Sequence, residues 1–337
     1  MRVIRYTLQL VITFILIVLS APAFAVEQTE QLKMLEAKLR KMLGNGVLPI
    51  IDVEFHYGSK IDIEDVKGRM NDNGVGITWL GTNEKLGSSE SLRLSTLYPE
   101  YFVPTTVHGD GKLWHSGDKF FLDNLAIDVK SGKYLAMGEF EARHYVSSTN
   151  NRDIHTPVDS PAMQTVFGLS SETGIPFLIH HEAEDSLLPE LERMLVKYPK
   201  AVVVWCHVGR NRNFNTWRKF KSAAAVKEYL KKYPNLYFDL VASRPGSKFE
   251  PTGQIDAIMY DFVMLKTILL PEWKELFEEF PDRFLIGTDI NTGRFSKYDN
   301  TISTFRTVIL DSLRKETAEK IAFKNAWKLM TRQKWKE

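Results

Sequence analysis

Five apolar runs in this 337-residue chain end in a histidine or a carboxylate, side chains that hold metal ions and move protons. They read Ile50-Ile51-Asp52-Val53-Glu54-Phe55-His56, Met137-Gly138-Glu139-Phe140-Glu141, Phe177-Leu178-Ile179-His180-His181-Glu182, Val204-Trp205-Cys206-His207 and Ile286-Gly287-Thr288-Asp289. Strand side chains alternate between faces, so Asp52, Glu54 and His56 share one face, and Glu139 and Glu141 share another. Three polar side chains on an inward face need compensation, because unpaired buried charge is very costly. A divalent cation held jointly by several strand ends supplies it. His108, His115, His144 and His155 lack this context and read as surface or loop residues. Cys206, the single cysteine, reads as a buried core thiol; one cysteine excludes an intramolecular disulfide and a multi-cysteine metal site.

The elements that must carry these ends alternate. Strand patterns fall near 49–57, 75–81, 102–108, 134–141, 175–181, 201–207, 236–242 and 284–290. Helix patterns fall near 88–98, 119–131, 160–173, 187–197, 219–232, 257–280, 300–313 and 315–330. Runs such as Val202-Val203-Val204-Trp205 are apolar on both parities, as expected of parallel strands covered on both faces. The sequence predicts an α/β fold, a (β/α)8 TIM-like barrel with function at the C-terminal strand ends. A doubly wound open sheet is the alternative, weakened because no Gly-x-Gly-x-x-Gly turn follows the first strand. An extra helix, with Leu32, Leu35, Leu39, Met42 and Leu43 at spacings of one, three and four, precedes the barrel. The expected organisation is a signal segment 1–25, the N-terminal helix within 26–46 and a single domain over 47–337, closed by a C-terminal helix. Loops 57–73, 108–118, 144–159, 208–218, 243–256 and 290–299 carry no readable substrate signature.

Composition is globular, with 44% hydrophobic and 26% charged residues, which excludes disordered and low-complexity classes. The excess of 44 basic over 42 acidic residues is Arg2 and Arg5. Without them the charge is zero, so no electrostatic footprint for nucleic acid is expected. Arg2 and Arg5 precede the apolar run Val11–Leu19, and Ala23-Phe24-Ala25 follows. That is the pattern of a secretory signal cleaved after Ala25, too short to span a bilayer. It predicts a periplasmic or secreted protein with no stable membrane insertion after cleavage.

The ordered set of strand ends resembles the amidohydrolase superfamily of metal-dependent hydrolases, especially its amidohydrolase-related branch. The resemblance runs from about residue 49 to the C-terminus and includes Ile321 and Asn325-Ala326 in the last helix. The family pattern is Asp-x-His-x-His on the first strand, His on the fifth, His on the sixth and Asp on the eighth. It implies His56, His180 and Asp289 as metal ligands, and His207 as the histidine that binds a second ion or polarises substrate. Gly138-Glu139 resembles the Gly-Glu of the TatD-type branch, whose Glu bridges two metals. Glu54 stands where the family most often has its first His; decarboxylating members resemble this chain in having Glu-x-His. A carboxylate there is a harder ligand and moves preference from zinc toward manganese.

The resemblance implies one or two divalent ions (Zn or Mn) and a metal-activated water acting on a small ester, lactone, amide or phosphoester. Asp289 would then be general base and acid, with His207 beside it as the second catalytic group. Arg210 and Arg143 are candidates for an anionic substrate group. A non-oxidative decarboxylase with the same residues, or a barrel that has lost its metal, are the alternatives, and the substrate and oligomeric state are not encoded legibly. N-terminal sequencing of the exported protein should begin at Val26; a full-length chain found only in the cytoplasm overturns the signal assignment.

Overall fold

The structure is a computed structural model that describes residues 28–146, 153–220, 222–241, 245–263 and 266–337. The signal segment and its cleavage site lie outside the described residues. Eight strands form the central sheet: β1 (Ile50–Tyr57), β2 (Val75–Thr82), β3 (Phe102–Val107), β4 (Met137–His144), β5 (Phe177–His181), β6 (Val203–Trp205), β7 (Leu236–Val241) and β8 (Phe284–Gly287). Their spatial order is β3-β2-β1-β8-β7-β6-β5-β4, all neighbours parallel, with the short strand Ile154–His155 antiparallel on β4. The two ends of that order also meet. Parallel bridges join Thr105 to Ala136 and Gly109 to Phe140. The Gly109 amide donates to the Glu139 carbonyl at 2.8 Å, and the Glu141 amide donates to the Gly109 carbonyl at 2.8 Å. This is an α/β fold with a large, mostly parallel central sheet and helices, consistent with a TIM barrel.

The strands are buried on both parities, as their apolar runs require: every residue of Phe177–His181 and Val203–Trp205 is inaccessible or nearly so. Trp205, Phe220, Phe238 and Phe284 form a stacked aromatic row through this side of the core. Helix 28–44 packs on the outside through Leu35 and Leu39. Gly76 makes that approach possible, since a Cβ there would lie 2.5 Å from a Leu39 methyl. Among the described residues no helix is long and apolar enough to cross a membrane.

Two segments differ most from the sequence reading. The stretch 57–73, taken as a loop, contains helix Ile63–Asn73. Asp62 caps it by accepting from the Glu64 amide at 3.0 Å, and Gly74 ends it at φ 67°. Its face is polar apart from buried Val66 and Met70, so the apolar periodicity was too sparse to announce a helix. The stretch 257–280, taken as one helix, is an antiparallel hairpin, Tyr260–Val263 with Lys266–Leu269, followed by helix Pro271–Glu279. Proline at the first helical position starts that helix and cannot sit inside a longer one.

The final helical stretch closes the N-terminal end of β8. The buried Asn325 amide donates to the carbonyls of Pro281 and Phe284, both at 2.8 Å. Asn325→Ala strands both carbonyls and should cost about 2–3 kcal/mol of unfolding free energy, read by denaturant titration. A loss below about 0.5 kcal/mol would show that water replaces the amide.

Candidate metal centre

The site is assembled by β1 and β8 first. Asp52 accepts from the Thr288 amide at 2.9 Å, the Thr288 hydroxyl at 2.8 Å and the Glu54 amide at 3.2 Å. Beyond this clamp, the Asp289 amide donates to the Glu54 carbonyl and the His56 amide to the Ile290 carbonyl, each at 2.8 Å. Asp289 adopts φ 50°, a left-handed turn that brings its Oδ1 to 3.3 Å from His56 Nε2. Aspartate is among the few side chains that visit this region readily.

The other half comes from β4, β5, β6 and β7. Gly138 sits at φ 77°, where a Cβ would press 2.6 Å from the Phe140 ring, so glycine is required to present Glu139. One Glu139 oxygen, Oε2, lies 3.4 Å from His56 Nε2. The other, Oε1, lies 3.0 Å from His180 Nδ1 and 3.4 Å from His207 Nε2. His207 follows β6 at φ 70°, and its amide donates to the Asp239 carboxylate at 2.7 Å. Glu54 Oε1 stands between the halves, 3.8 Å from His56 Nε2 and 3.7 Å from His207 Nε2. His180 turns its other nitrogen, Nε2, to Glu182 at 3.3 Å, and Glu182 is ion-paired to buried Arg212.

Charge is out of balance here. Asp52, Glu54, Glu139, Asp239 and Asp289 are all buried. Arg294 meets Asp289 through two parallel N–H···O contacts. Burial, reinforced by Asp239, Glu139 and Asp289, drives the Glu54 carboxyl well above its ordinary range. Burial likewise raises Asp52 and Asp239, each to about 7. It opposes ionisation of Glu139 too, but His180, His207 and His56 outweigh it and hold that carboxyl low. At Asp289, Arg294 and His56 outweigh burial in the same way. Burial lowers His180, yet Glu139 and Glu182 push it up to about 9, while burial and the His180 charge take His207 down to about 4.

Both Glu54 oxygens and His56 Nε2 are buried without a hydrogen-bond partner. Donor atoms of Glu54, His56 and Asp289 lie within 4.8 Å of one another, as do those of Glu139, His180 and His207. Several of these separations fall between 3.3 and 3.8 Å. Ligands about 2.1 Å from a tetrahedral ion stand about 3.4 Å apart, so the donor set fits a divalent cation. Buried carboxylates with free lone pairs and imidazoles in neutral form are the ligands such an ion takes.

The structure thus brings Glu54, His56, Glu139, His180, His207 and Asp289 together from five strand ends. It does not bring Arg143 to them: that guanidinium pairs with Asp153 and with Glu184 at 2.5 Å and stacks on Tyr145. Arg210 lies nearer, lining a pocket with His180, His207, Arg212 and Trp217, and stands 3.6 Å from Asp256. Glu141 faces His115 at 3.3 Å, away from Glu139's partners. The reading of His108 as a surface residue is corrected: it is 3% exposed and packs edge-on against His56 with ring centroids 4.3 Å apart. His144 is corrected too: its ring lies against that of His180, centroids 4.5 Å apart and planes tilted by 33°. His155 is exposed. Cys206 is buried as expected, but its thiol lies against Glu54 and Glu139 rather than in a purely apolar core. Asp239 and Arg294 were missed; a lone aspartate in Leu236-Tyr237-Phe238-Asp239-Leu240 was a legible signal, whereas Arg294 in a polar loop gave none.

No family model and no curated protein matches the chain. Solved structures do. It superposes on 2,6-dihydroxybenzoate decarboxylase complexed with 2,6-dihydroxybenzoate with a TM-score of 0.53 at 12% identity, covering 84% of this chain and 99% of that one. An amidohydrolase from Burkholderia multivorans with bound zinc gives 0.52 at 13% identity, over 84% and 99% of the two chains. A 4-oxalomesaconate hydratase from Rhodopseudomonas palustris gives 0.51 at 15%, over 84% and 96%. These neighbours are amidohydrolase-superfamily enzymes with differing activities, and this chain shares their fold.

Glu54 offers a direct test of the charge imbalance. A carboxyl raised in the fold costs stability that grows as pH climbs above the unfolded value, so metal-free Glu54→Gln should melt above wild type at pH 8 and level with it near pH 4. Excess Zn2+ or Mn2+ should reverse the order at pH 8, because the amide is the poorer ligand. Identical melting of both proteins at pH 8, with and without metal, would remove Glu54 from the centre.

Proposed function

We propose that the chain is an exported, metal-dependent hydrolase of the amidohydrolase superfamily, with β3 and β4 closing its sheet into a (β/α)8 barrel. The bridges between those strands support the closure. The observation that carries the function is Glu54: a fully buried carboxylate with no hydrogen-bond partner, facing two imidazoles and three further carboxylates at the strand ends. Glu54, His56, Glu139, His180 and Asp289 would hold one or two divalent ions, Zn or Mn, with His207 a ligand or a group that polarises substrate. A bound ion would lower the pKa of water from ~15.7 to ~7 and polarise a carbonyl or phosphoryl oxygen.

The chain's own groups then divide the work. Glu139 offers one oxygen to each half of the site. Glu182 orients His180 by accepting from its Nε2, leaving Nδ1 turned to the centre. Asp289 is the proton acceptor, and Arg294 keeps it ionised and fixed in plane. Arg210, beside His207 in one pocket, suits an anionic group on a small substrate such as an ester, lactone, amide or phosphoester. A decarboxylase, as one neighbour is, would need Asp289 to carry a proton to the substrate carbon. Its guanidinium partner opposes protonation in either reaction, so the assays below and not this contact separate the two.

Elemental analysis of protein purified without chelators tests the reading, followed by hydrolysis assays on lactones, esters, amides and phosphoesters and decarboxylation assays on aromatic carboxylates. His180→Ala and Asp289→Ala should each lose bound metal or activity by more than about 100-fold, beyond the ~10–100-fold range of groups that only orient ligands. Full metal and full activity in both variants would place the site elsewhere.

A further inference from the structure

We propose that Arg294 competes with the metal ion for Asp289: its guanidinium stands on Oδ1 in the metal-free protein, the incoming ion displaces it from that oxygen, and the contest sets how tightly the centre holds its ion. This rests on the metal reading above and concerns a residue outside the ligand set. Arg294 lies on the loop after β8. Its Nη1 donates to Asp289 Oδ2 at 2.6 Å, and its Nη2 donates to Oδ1. Oδ1 is also the oxygen that faces the centre, 3.3 Å from His56 Nε2. An ion held by Glu54, His56 and Asp289 needs it, since donor atoms of those three lie within 4.8 Å of one another. An end-on fork occupies the lone pairs that lie between the two carboxylate oxygens. Fork and ion therefore contend for one atom.

Hydrogen-bond accounting marks this guanidinium as replaceable. Arg306 shows what a permanent clamp looks like. Its Nε, Nη1 and Nη2 donate to the carbonyls of Asn73, Leu48 and Gly74 at 2.9, 3.0 and 2.8 Å. Arg294 gives both terminal nitrogens to Asp289 and leaves Nε buried with no partner. Among the described residues no backbone carbonyl holds its side chain. A buried donor left unsatisfied carries a desolvation penalty that a built clamp avoids. The way out is also open: the Arg294 side chain keeps 26% of its surface exposed, and Thr292 and Gly293 just before it are exposed.

Two effects oppose each other. The fork aims Asp289, and losing a group that only orients a ligand weakens metal binding by ~10–100-fold. Against this, a guanidinium and a divalent ion on one carboxylate repel each other at close range, where little water screens them. The ion must also strip Nη2 from Oδ1 before it binds. The backbone already does much of the aiming. The Asp289 amide is fixed on the Glu54 carbonyl, and the next residue, Ile290, accepts from the His56 amide, each at 2.8 Å. Competition therefore outweighs orientation. When the ion takes Oδ1, Arg294 retains Oδ2 through Nη1, so the carboxylate stays ionised and in plane.

The test titrates the full chain, stripped of metal, with Zn2+ against a chelator of known affinity. Arg294→Met keeps the side chain's length without its charge or donors, and should bind zinc at least about tenfold more tightly than wild type. Arg294→Lys, whose compact ammonium can stay on Oδ2 alone, should fall between the two. Metal-free Arg294→Met should melt below wild type and gain more from added zinc. Should that variant fold only with metal, the zinc-loaded form should surrender its ion to excess chelator at least about tenfold more slowly than wild type. Zinc binding that is unchanged or weaker in both variants, or release that is as fast as in wild type, would overturn the competition, make Arg294 an orienting group and leave the metal-dependent reading intact. No zinc uptake by wild type or by either variant would overturn both.

Discussion

The arrangement turns on negative charge buried without enough positive charge to meet it. Asp52, Glu54, Glu139, Asp239 and Asp289 converge at the strand ends, and the guanidinium that touches this group, Arg294, is committed to Asp289. Burying an uncompensated carboxylate is among the most expensive things a fold can do. Protonation relieves part of it, as the raised positions of Asp52, Glu54 and Asp239 indicate. A divalent cation relieves it more completely. Metal affinity and fold stability would therefore be coupled at this site, because an ion would relieve this electrostatic penalty.

The backbone departs from ordinary geometry where that charge must be aimed. Among the described residues, His207 and Asp289 are two of the three non-glycine positions with positive φ, and both end strands at the centre. Gly138 and Gly81 act in the same region, one by turning Glu139 inward and the other by yielding space to His108. Strain of this kind persists only where surrounding structure over-determines it. Here the restraints are visible: Asp52 clamps Thr288 next to Asp289, and Asp239 clamps the His207 amide.

Much of this was legible in the amino-acid order. Strand ends carrying Glu54, His56, Glu139, His180, His207 and Asp289 stand out because a polar residue directly after an apolar run is conspicuous. The helix at 63–73 was not legible, because two buried positions do not make a stripe. Tyr260–Leu269 was misread because a short apolar run does not distinguish strand from helix by content alone. His108 escaped for a different reason. It follows Val103-Pro104-Thr105-Thr106-Val107, a strand whose mixed composition does not announce a buried end, and its burial depends on a glycine 27 residues earlier. Arg143 is the opposite case: an arginine after an inward strand reads as an anion site in the sequence, and the fold pairs it with Asp153 and Glu184.

Asp52 and Glu54 separate the two meanings a buried carboxylate can have. They sit two residues apart on one strand, share a face and are equally inaccessible. Asp52 accepts three hydrogen bonds from Thr288 and Glu54, and its work is structural, tying β1 to β8. Glu54 accepts none, although its neighbours include two imidazoles. Burial alone would have ranked them together. Hydrogen-bond accounting ranks them apart, because a fold that can satisfy a carboxylate with its own backbone does so, as it did two residues earlier. A carboxylate left open beside histidines is one that a cation would satisfy. The same accounting bears on why Arg294 engages Asp289 and not Glu54: a guanidinium on Glu54 would fill the space between the two halves of the site and neutralise the charge that would draw a cation there.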